Sequence, residues 1–457
     1  MTTVSSIFRA YDIRGIVDET LTDELVYQIG LVLGSLATEH GDSAIVLGRD
    51  GRLSGPHLGK ALSEGILASG CDVIDIGLVP TPLLYYATHI LNTHSGVMLT
   101  GSHNPSHYNG LKMVINGKTL SGDAITHIYN RIQQKDFRQG KGMLSQMNMT
   151  ERYSAHVARD IQLARPLKIV IDCGNGIAGA LAPTLFRQLK CDVIELFCDV
   201  DGHFPNHHPD PSQLKNLQDL IASVKKNKAD IGLAFDGDGD RLGIVTNEGE
   251  VIWPDRQLML FAKDILSRTP GAKIIYDVKS TSHLEKLIRA YKGEPILCKT
   301  GHSFIKAKLA ETKAVLAGEM SGHIFFRDTW YGFDDALYAG ARLLKIIASQ
   351  SLSVHDLFLT IPNSINTPEL TIHIAENDKF EFMNTLINAA QFDQAEKITI
   401  DGLRVNFADG WGLVRPSNTT PCLVLRFEAD STEALTRIQE AFRALLLSIR
   451  SDLVLPF

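Results

Sequence analysis

The sequence predicts three related α/β domains followed by a smaller C-terminal α+β domain. Three observations carry that expectation. One pattern, a β-branched strand ending in a glycine or polar loop and then a helix-like segment, recurs three times. Each recurrence reaches a further apolar run that stops at a conspicuous loop. Beyond residue 364 the pattern breaks into short strands bunched between two helices. A chain of 457 residues has room for three or four domains at about 150 residues each.

The first unit opens on AIVLGRDGRLSG (44–55), continues through CDVIDIGLVPTP (71–82) and reaches GVMLTGSHNP (96–105). The second runs through LKIVIDCGNGIAG (167–179), CDVIELFCDVDG (191–202) and IGLAFDGDGD (231–240). The third runs through AKIIYDVKSTSHL (272–284), EPILCKTG (294–301) and AVLAGEMSGH (314–323). Short apolar runs joined by helical patterns read as βαβ units with a largely parallel sheet. In the tail, ELTIHI (369–374) reads as a strand and 375–391 as a helix. KITI (397–400), LRVNF (403–407), WGLVR (411–415) and CLVLRFEA (422–429) follow as strands. A closing helix carries Leu435, Ile438, Phe442, Leu445 and Ile449 along one face. Polar, turn-rich segments at 138–148, 246–254 and 361–368 divide the chain into domains 1–148, 149–251, 252–364 and 365–457. In open α/β sheets ligands bind beyond the strand carboxyl ends, so the three conspicuous loops are expected to converge on one cleft.

Composition narrows the function. With 44% hydrophobic residues and a net charge of 45 − 52 = −7, the chain is ordinary globular protein, not disordered. It lacks the basic balance of a nucleic-acid binder. No apolar run approaches the ~20 residues of a membrane helix, and Arg9 and Asp12 interrupt any signal-peptide core. The six cysteines form no C-x-x-C pair and read as buried thiols of a reducing compartment. The expectation is a cytoplasmic monomer with no nucleic-acid or membrane partner.

Four loops carry chemistry. Asp236, Asp238 and Asp240 alternate with glycines, and Arg241 follows. Three crowded carboxylates repel one another unless a cation sits among them, and oxygen ligands suit Mg²⁺ or Ca²⁺. An EF-hand fails, because its sixth position is Arg241 and its twelfth Asn247. A solvated acidic turn is the bland alternative. Thr100-Gly101-Ser102-His103-Asn104-Pro105 sets a hydroxyl beside an imidazole, with Lys112 ten residues on. That string is also good turn chemistry, but beside a carboxylate trio Ser102 becomes a candidate nucleophile and metal ligand. Glu319, Ser321 and His323 alternate along GEMSGH and suit vicinal hydroxyls. Arg415, Ser417, Asn418 and Thr419 gather a guanidinium, hydroxyls and an amide fit for a phosphate dianion. Hydrogen-bonded structural loops are the alternative for both. Finally, Gly174-Asn175-Gly176-Ile177-Ala178-Gly179 matches G-x-G-x-x-G. A lone match is weak, and glycines there equally serve strand–helix packing.

TGSHNP, DGDGDR, GEMSGH and RPSNTTP, in that order and each in a different expected domain, resemble the α-D-phosphohexomutase superfamily. The methionine of GEMSGH is similar to the dual-specificity subgroup, acting on mannose and glucose phosphates. SNTTP departs from the SGTEP-like loop of phosphoglucosamine mutases, the neighbouring alternative. The resemblance implies three α/β domains with mixed sheets and a smaller C-terminal domain arranged around a central active-site cleft, and a hexose 1-phosphate/6-phosphate mutase working through phosphorylated Ser102, Mg²⁺ and a hexose 1,6-bisphosphate. It implies Mg²⁺ held by Ser102, Asp236, Asp238 and Asp240, and His103 and Lys112 in proton transfer and charge stabilisation. Arg14 and Arg241 would neutralise the phosphoserine. Tyr11, Lys279 and His302 would line the sugar pocket. Glu319, Ser321 and His323 would hold sugar hydroxyls, and Arg415, Ser417, Asn418 and Thr419 the distal phosphate. A Mg²⁺-dependent sugar-phosphate phosphohydrolase and a non-catalytic sugar-phosphate sensor are the rivals from other classes.

Overall fold

The computed structural model describes residues 4–375, 378–417 and 420–457. The first sheet runs Ile13–Ile16, Tyr108–Ile115, Gly96–Leu99, Ala44–Arg49, Asp72–Leu78, Leu144–Gln146. Ala44–Arg49 is parallel to Asp72–Leu78 and Gly96–Leu99, whereas Gly96–Leu99 is antiparallel to Tyr108–Ile115. The second sheet repeats this logic. Ile231–Phe235 lies parallel to Lys168–Asp172 and antiparallel to Leu242–Thr246. In the third, Leu316–Gly318 lies parallel to Lys273–Asp277 and antiparallel to Ile324–Phe326. Each conspicuous loop therefore joins a parallel strand to an antiparallel return strand. The sheets are thus mixed, as the resemblance implied; strand pattern alone read as largely parallel, because these returns follow the glycine-rich loops too closely to leave room for a crossover helix.

The fourth sheet is wholly antiparallel: Ile365–Asn366, Cys422–Ala429, Gly410–Pro416, Leu403–Phe407, Glu396–Ile398, with Leu370–His373 also on Cys422–Ala429. Helices Lys379–Ala389 and Thr432–Ile449 pack on it. On the closing helix the deepest seam is Ala434, Ile438, Phe442 and Leu446, spaced four apart. Leu435, Leu445 and Ile449 flank it, half-buried.

One continuous core runs through the first three domains, from Val46 and Leu83 through Ile169 and Phe235 to Leu258 and Phe326. The tail has its own core. It meets the third domain through a small apolar contact of Val278, Trp411 and Leu413, and the rest of the seam is polar. Arg404 donates to the carbonyls of Val278 (2.6 Å) and Ser280 (2.9 Å). Arg426 donates to the Lys279 carbonyl at 2.6 Å, and Glu428 accepts from Thr281 and Ser282. No helix among the described residues is long and apolar enough to cross a membrane.

Candidate active site

Ser102 sits in the turn between Gly96–Leu99 and Tyr108–Ile115, nearly fully buried and at φ +49°. Left-handed backbone at a serine costs about 1–3 kcal/mol, so the neighbours must hold it. Asp50 and Arg52 at the end of Ala44–Arg49 do so. The Arg52 guanidinium donates to the carbonyls of Ser102 (2.8 Å), Asn104 (2.6 Å), Pro105 (2.6 Å) and Tyr108 (2.8 Å), and to Asp50 Oδ2 at 3.3 Å. Asp50 accepts from Thr100 Oγ1 at 2.7 Å, whose oxygen in turn accepts from Ser102 N at 2.8 Å. Neither Asp50 nor Arg52 was singled out from sequence. The available signal was a D-x-R pair at a strand carboxyl end, where the cleft was expected.

The carboxylate loop meets the serine loop directly. Ser102 Oγ donates to Asp236 Oδ2 at 3.2 Å and lies 3.2 Å from His103 Nδ1. A Cβ on Gly237 would lie 2.3 Å from the Ser102 carbonyl oxygen, so glycine permits the approach. The G-x-G-x-x-G turn is spent on the same task. Gly176 packs on Gly237, where a Cβ would lie 2.9 Å away, and Ile177 N donates to the Gly237 carbonyl at 3.1 Å.

Asp236, Asp238 and Asp240 are wholly buried, with one oxygen of each converging within 4.8 Å. Lys112 Nζ donates to Asp238 Oδ2 at 2.6 Å and to Asp240 Oδ2, while Thr81 Oγ1 donates to Asp238 Oδ2 at 2.6 Å. Burial and the neighbouring Asp240 and Asp238 raise the Asp236 carboxyl well above its usual range. Burial works against Asp238 as well, yet the Lys112 ammonium holds its carboxyl far below that range. Lys112 itself, despite burial, is pushed up by Asp238 and Asp240 and stays protonated. Asp238 Oδ1 and Asp240 Oδ1 are buried without a hydrogen bond among those described. Such oxygens are costly unless a cation meets them, and an all-oxygen set fits a hard divalent ion.

Cations and rings close the rim. Arg14 donates to Asn104 Oδ1 and Asp12 Oδ2, each at 2.5 Å. Arg241 Nε donates to His323 Nε2 at 3.1 Å and lies 3.8 Å from Asp236 Oδ2. Burial, with Arg241 and Arg14 nearby, keeps the His103 imidazole well below its ordinary range and thus neutral.

Glu319 Oε1 accepts from Gly301 N at 2.5 Å, its other oxygen is buried and unpartnered, and burial lifts its carboxyl to about 7. His302, on the same loop as Gly301, packs edge-on against Tyr11 with ring centroids 5.7 Å apart. Lys279 pairs with Glu369 of the tail. Arg415 Nε donates to Asp401 Oδ2 at 2.9 Å, an oxygen that also accepts from Thr300 N at 3.0 Å. Through Asp401 the Arg415 loop abuts the His302 loop. Ser417 Oγ lies 2.8 Å from Thr420 Oγ1; Asn418 and Thr419 lie outside the described residues. Ser321 is half-buried, beside Pro211, Leu242 and Trp253, and has no hydrogen bond to Glu319 or His323 among those described.

A serine beside a buried acidic trio, ringed by cations at the meeting point of three α/β sheets, defines a phosphotransfer class of enzyme. The chain belongs to the phosphoglucomutase/phosphomannomutase family. The family's alpha/beta/alpha domains I, II and III match residues 5–139, 151–249 and 253–364, and its C-terminal domain matches 372–445. A phosphomannomutase/phosphoglucomutase of Pseudomonas aeruginosa is 53% identical over 453 residues, 99% of this chain and 98% of that one. A phosphoglucomutase of Neisseria meningitidis is 54% identical over 446 residues, 97% of each. The solved structure of a phosphoglucomutase/phosphomannomutase family protein from Burkholderia thailandensis superposes with a TM-score of 0.95 at 51% identity, covering all of both chains. The chain is accordingly a phosphohexomutase, an intramolecular phosphotransferase.

Proposed function

We propose that this enzyme interconverts the 1- and 6-phosphates of mannose and glucose through phosphorylated Ser102 and a hexose 1,6-bisphosphate that also serves as activator. The observation that carries the reading is Ser102 Oγ, 3.2 Å from Asp236 within a carboxylate trio that also binds Lys112. Asp236, Asp238, Asp240 and the phosphorylated Ser102 would hold Mg²⁺, which supplies positive charge to the transferring phosphoryl group.

The side chains divide the remaining work. Lys112, locked as a cation, and Arg14 and Arg241 stabilise charge spread over the phosphoryl oxygens. His103, neutral and beside Ser102, is the group placed to accept a proton from the attacking sugar hydroxyl. Glu319 and His302 face the sugar, and Arg415 with Ser417 grips the phosphate that is not reacting. A bisphosphate carries a phosphate at each end, so turning it over presents the second to the serine while the first occupies the clamp. Closing the fourth domain excludes water and keeps the phosphoryl group from hydrolysis.

Ser102→Ala tests this directly. With bisphosphate activator present, isomerisation of mannose and glucose 1-phosphates should fall by at least about 10³-fold, and intact mass should show no phosphate adduct. Full retained turnover would refute the phosphoserine assignment. Release of inorganic phosphate in place of isomer would favour the phosphohydrolase, and a preference for glucosamine 1-phosphate would favour the neighbouring subgroup.

A further inference from the structure

Arg415 is almost fully buried, and one edge of its guanidinium is already taken. Its Nε donates to Asp401 Oδ2 at 2.9 Å, and its Nη2 donates to Asp401 Oδ1 at 3.3 Å. A guanidinium carries five N–H donors in a fixed plane. The edge formed by Nη1 and the rest of Nη2 is therefore left for a second anion.

A tight turn brings Asp401 to that place. Gly402 has φ +83°, and a Cβ on it would lie 2.4 Å from the Val414 carbonyl oxygen and 2.6 Å from Arg415 Cα. Glycine thus lets the turn before Leu403–Phe407 close against Gly410–Pro416, with Leu403 opposite Val414. Asp401 reaches beyond its own domain as well. Its Oδ2 also accepts from Thr300 N at 3.0 Å, while the next amide, Gly301 N, donates to Glu319 Oε1 at 2.5 Å. Thr300 Oγ1 donates to Asp277 Oδ2 at 3.2 Å, and Asp277 Oδ1 accepts from Ser280 Oγ at 2.8 Å. One carboxylate oxygen therefore joins the arginine to the turn that leads into His302 and, through Gly301, to Glu319.

We propose that Asp401 is a positioning residue for the phosphate that is not reacting. It holds one edge of the Arg415 fork, so that Nη1 and Nη2 meet one phosphate together, in register with the Thr300–Gly301 turn. This rests on the reading above in which Arg415 grips that phosphate. A planar fork fixed along one edge keeps the other ready for a bidentate contact, and little orientation is then lost on binding. The charge of Asp401 opposes an incoming anion, but its removal invites a rival pairing. Glu369, which already pairs with Lys279, is a further carboxylate whose charge reaches Arg415. With Asp401 neutralised, the guanidinium is drawn toward Glu369 and away from the phosphate.

The test is steady-state isomerisation of glucose 1-phosphate by the full-length enzyme, with bisphosphate activator saturating for each variant. Asp401→Asn keeps the size of the side chain and removes its charge. It should raise KM about 10-fold, as expected for weakening one hydrogen bond to a charged group. The change in kcat should stay below about 3-fold, the pattern of a contact made equally in the ground and transition states. Arg415→Met should raise KM further. In that background Asp401→Asn should add less than about 2-fold, because a residue acting through the arginine has nothing left to act on. A native or lower KM in Asp401→Asn, a loss confined to kcat, or the same rise repeated in the Arg415→Met background would each overturn the proposal. Native KM in Arg415→Met would instead overturn the phosphate-clamp reading, and the proposal with it.

Discussion

Replacing Arg52 by lysine probes how the catalytic loop is held, because it keeps the charge and removes the fork. Arg52 meets five acceptors: the carbonyls of Ser102, Asn104, Pro105 and Tyr108, and Asp50 Oδ2. A lysine ammonium is one nitrogen and cannot replace both Nη1, which meets Pro105 and Tyr108, and Nη2, which meets Ser102 and Asn104. Pro105 O and Asp50 Oδ2 keep Tyr108 N and Thr100 Oγ1 as donors, so one or two carbonyls are left unmet. Each costs about 1–3 kcal/mol, which puts the strain on the loop at about 1–6 kcal/mol. Ser102 already occupies left-handed backbone, so the loop relaxes in preference to bearing that strain. If only about 2 kcal/mol appears as misplacement in the transition state, kcat falls by about 30-fold. The measurement is steady-state isomerisation of glucose 1-phosphate with saturating activator, alongside thermal unfolding. Arg52→Lys should lose kcat far more than KM and should unfold at lower temperature. Native kcat and native melting together would refute the view that this guanidinium sets the geometry of the serine loop.

Two other perturbations address neighbouring contacts. Gly237→Ala puts a Cβ 2.3 Å from the Ser102 carbonyl oxygen, and an enforced shift of about 1 Å should lower kcat by on the order of 10²-fold; calorimetry should show weaker Mg²⁺ binding, and unchanged kcat would mean the loops do not need this approach. Burial lifts Glu319 from its usual 4.5 to about 7, so between those values the folded protein keeps a proton that the unfolded chain gives up, and stability falls as pH rises. The full difference is on the order of 3 kcal/mol above pH 7; denaturant unfolding of Glu319→Gln should show a flatter pH dependence there, and an identical slope in both proteins would contradict it.

Much of the architecture could be read from the chain because it rests on local pattern. The β-branched runs at 44–49, 168–172 and 273–277 became parallel strands, and the carboxylate and serine turns lie at strand carboxyl ends as topology requires. The return strands Tyr108–Ile115, Leu242–Thr246 and Ile324–Phe326 escaped notice because antiparallel pairing leaves no signature beyond a short apolar run. On the closing helix Ile438 and Phe442 of the expected stripe lie on the deepest seam, while Leu435, Leu445 and Ile449 flank it and Ala434 and Leu446 complete it. At the candidate site, the sequence displays the clustered loop side chains but not those that brace the loops. Arg52 and Asp401 bond to partners 50 and 14 residues away or more, distances that only the folded chain closes. Along GEMSGH the loop turns between Ser321 and His323 at Gly322 (φ +102°), a turn that the alternation of residues alone does not reveal.

The seam between the tail and the third domain has a thermodynamic consequence. Parting it would wet Arg404, Arg426 and Glu428 together with carbonyls and hydroxyls that water can serve, and little oily surface beyond Trp411 and its two neighbours. Heat capacity rises with apolar hydration and falls with polar hydration, so parting the two units should change heat capacity little or lower it. The temperature dependence of such a separation would then follow the enthalpy of the hydrogen bonds it breaks, with little curvature.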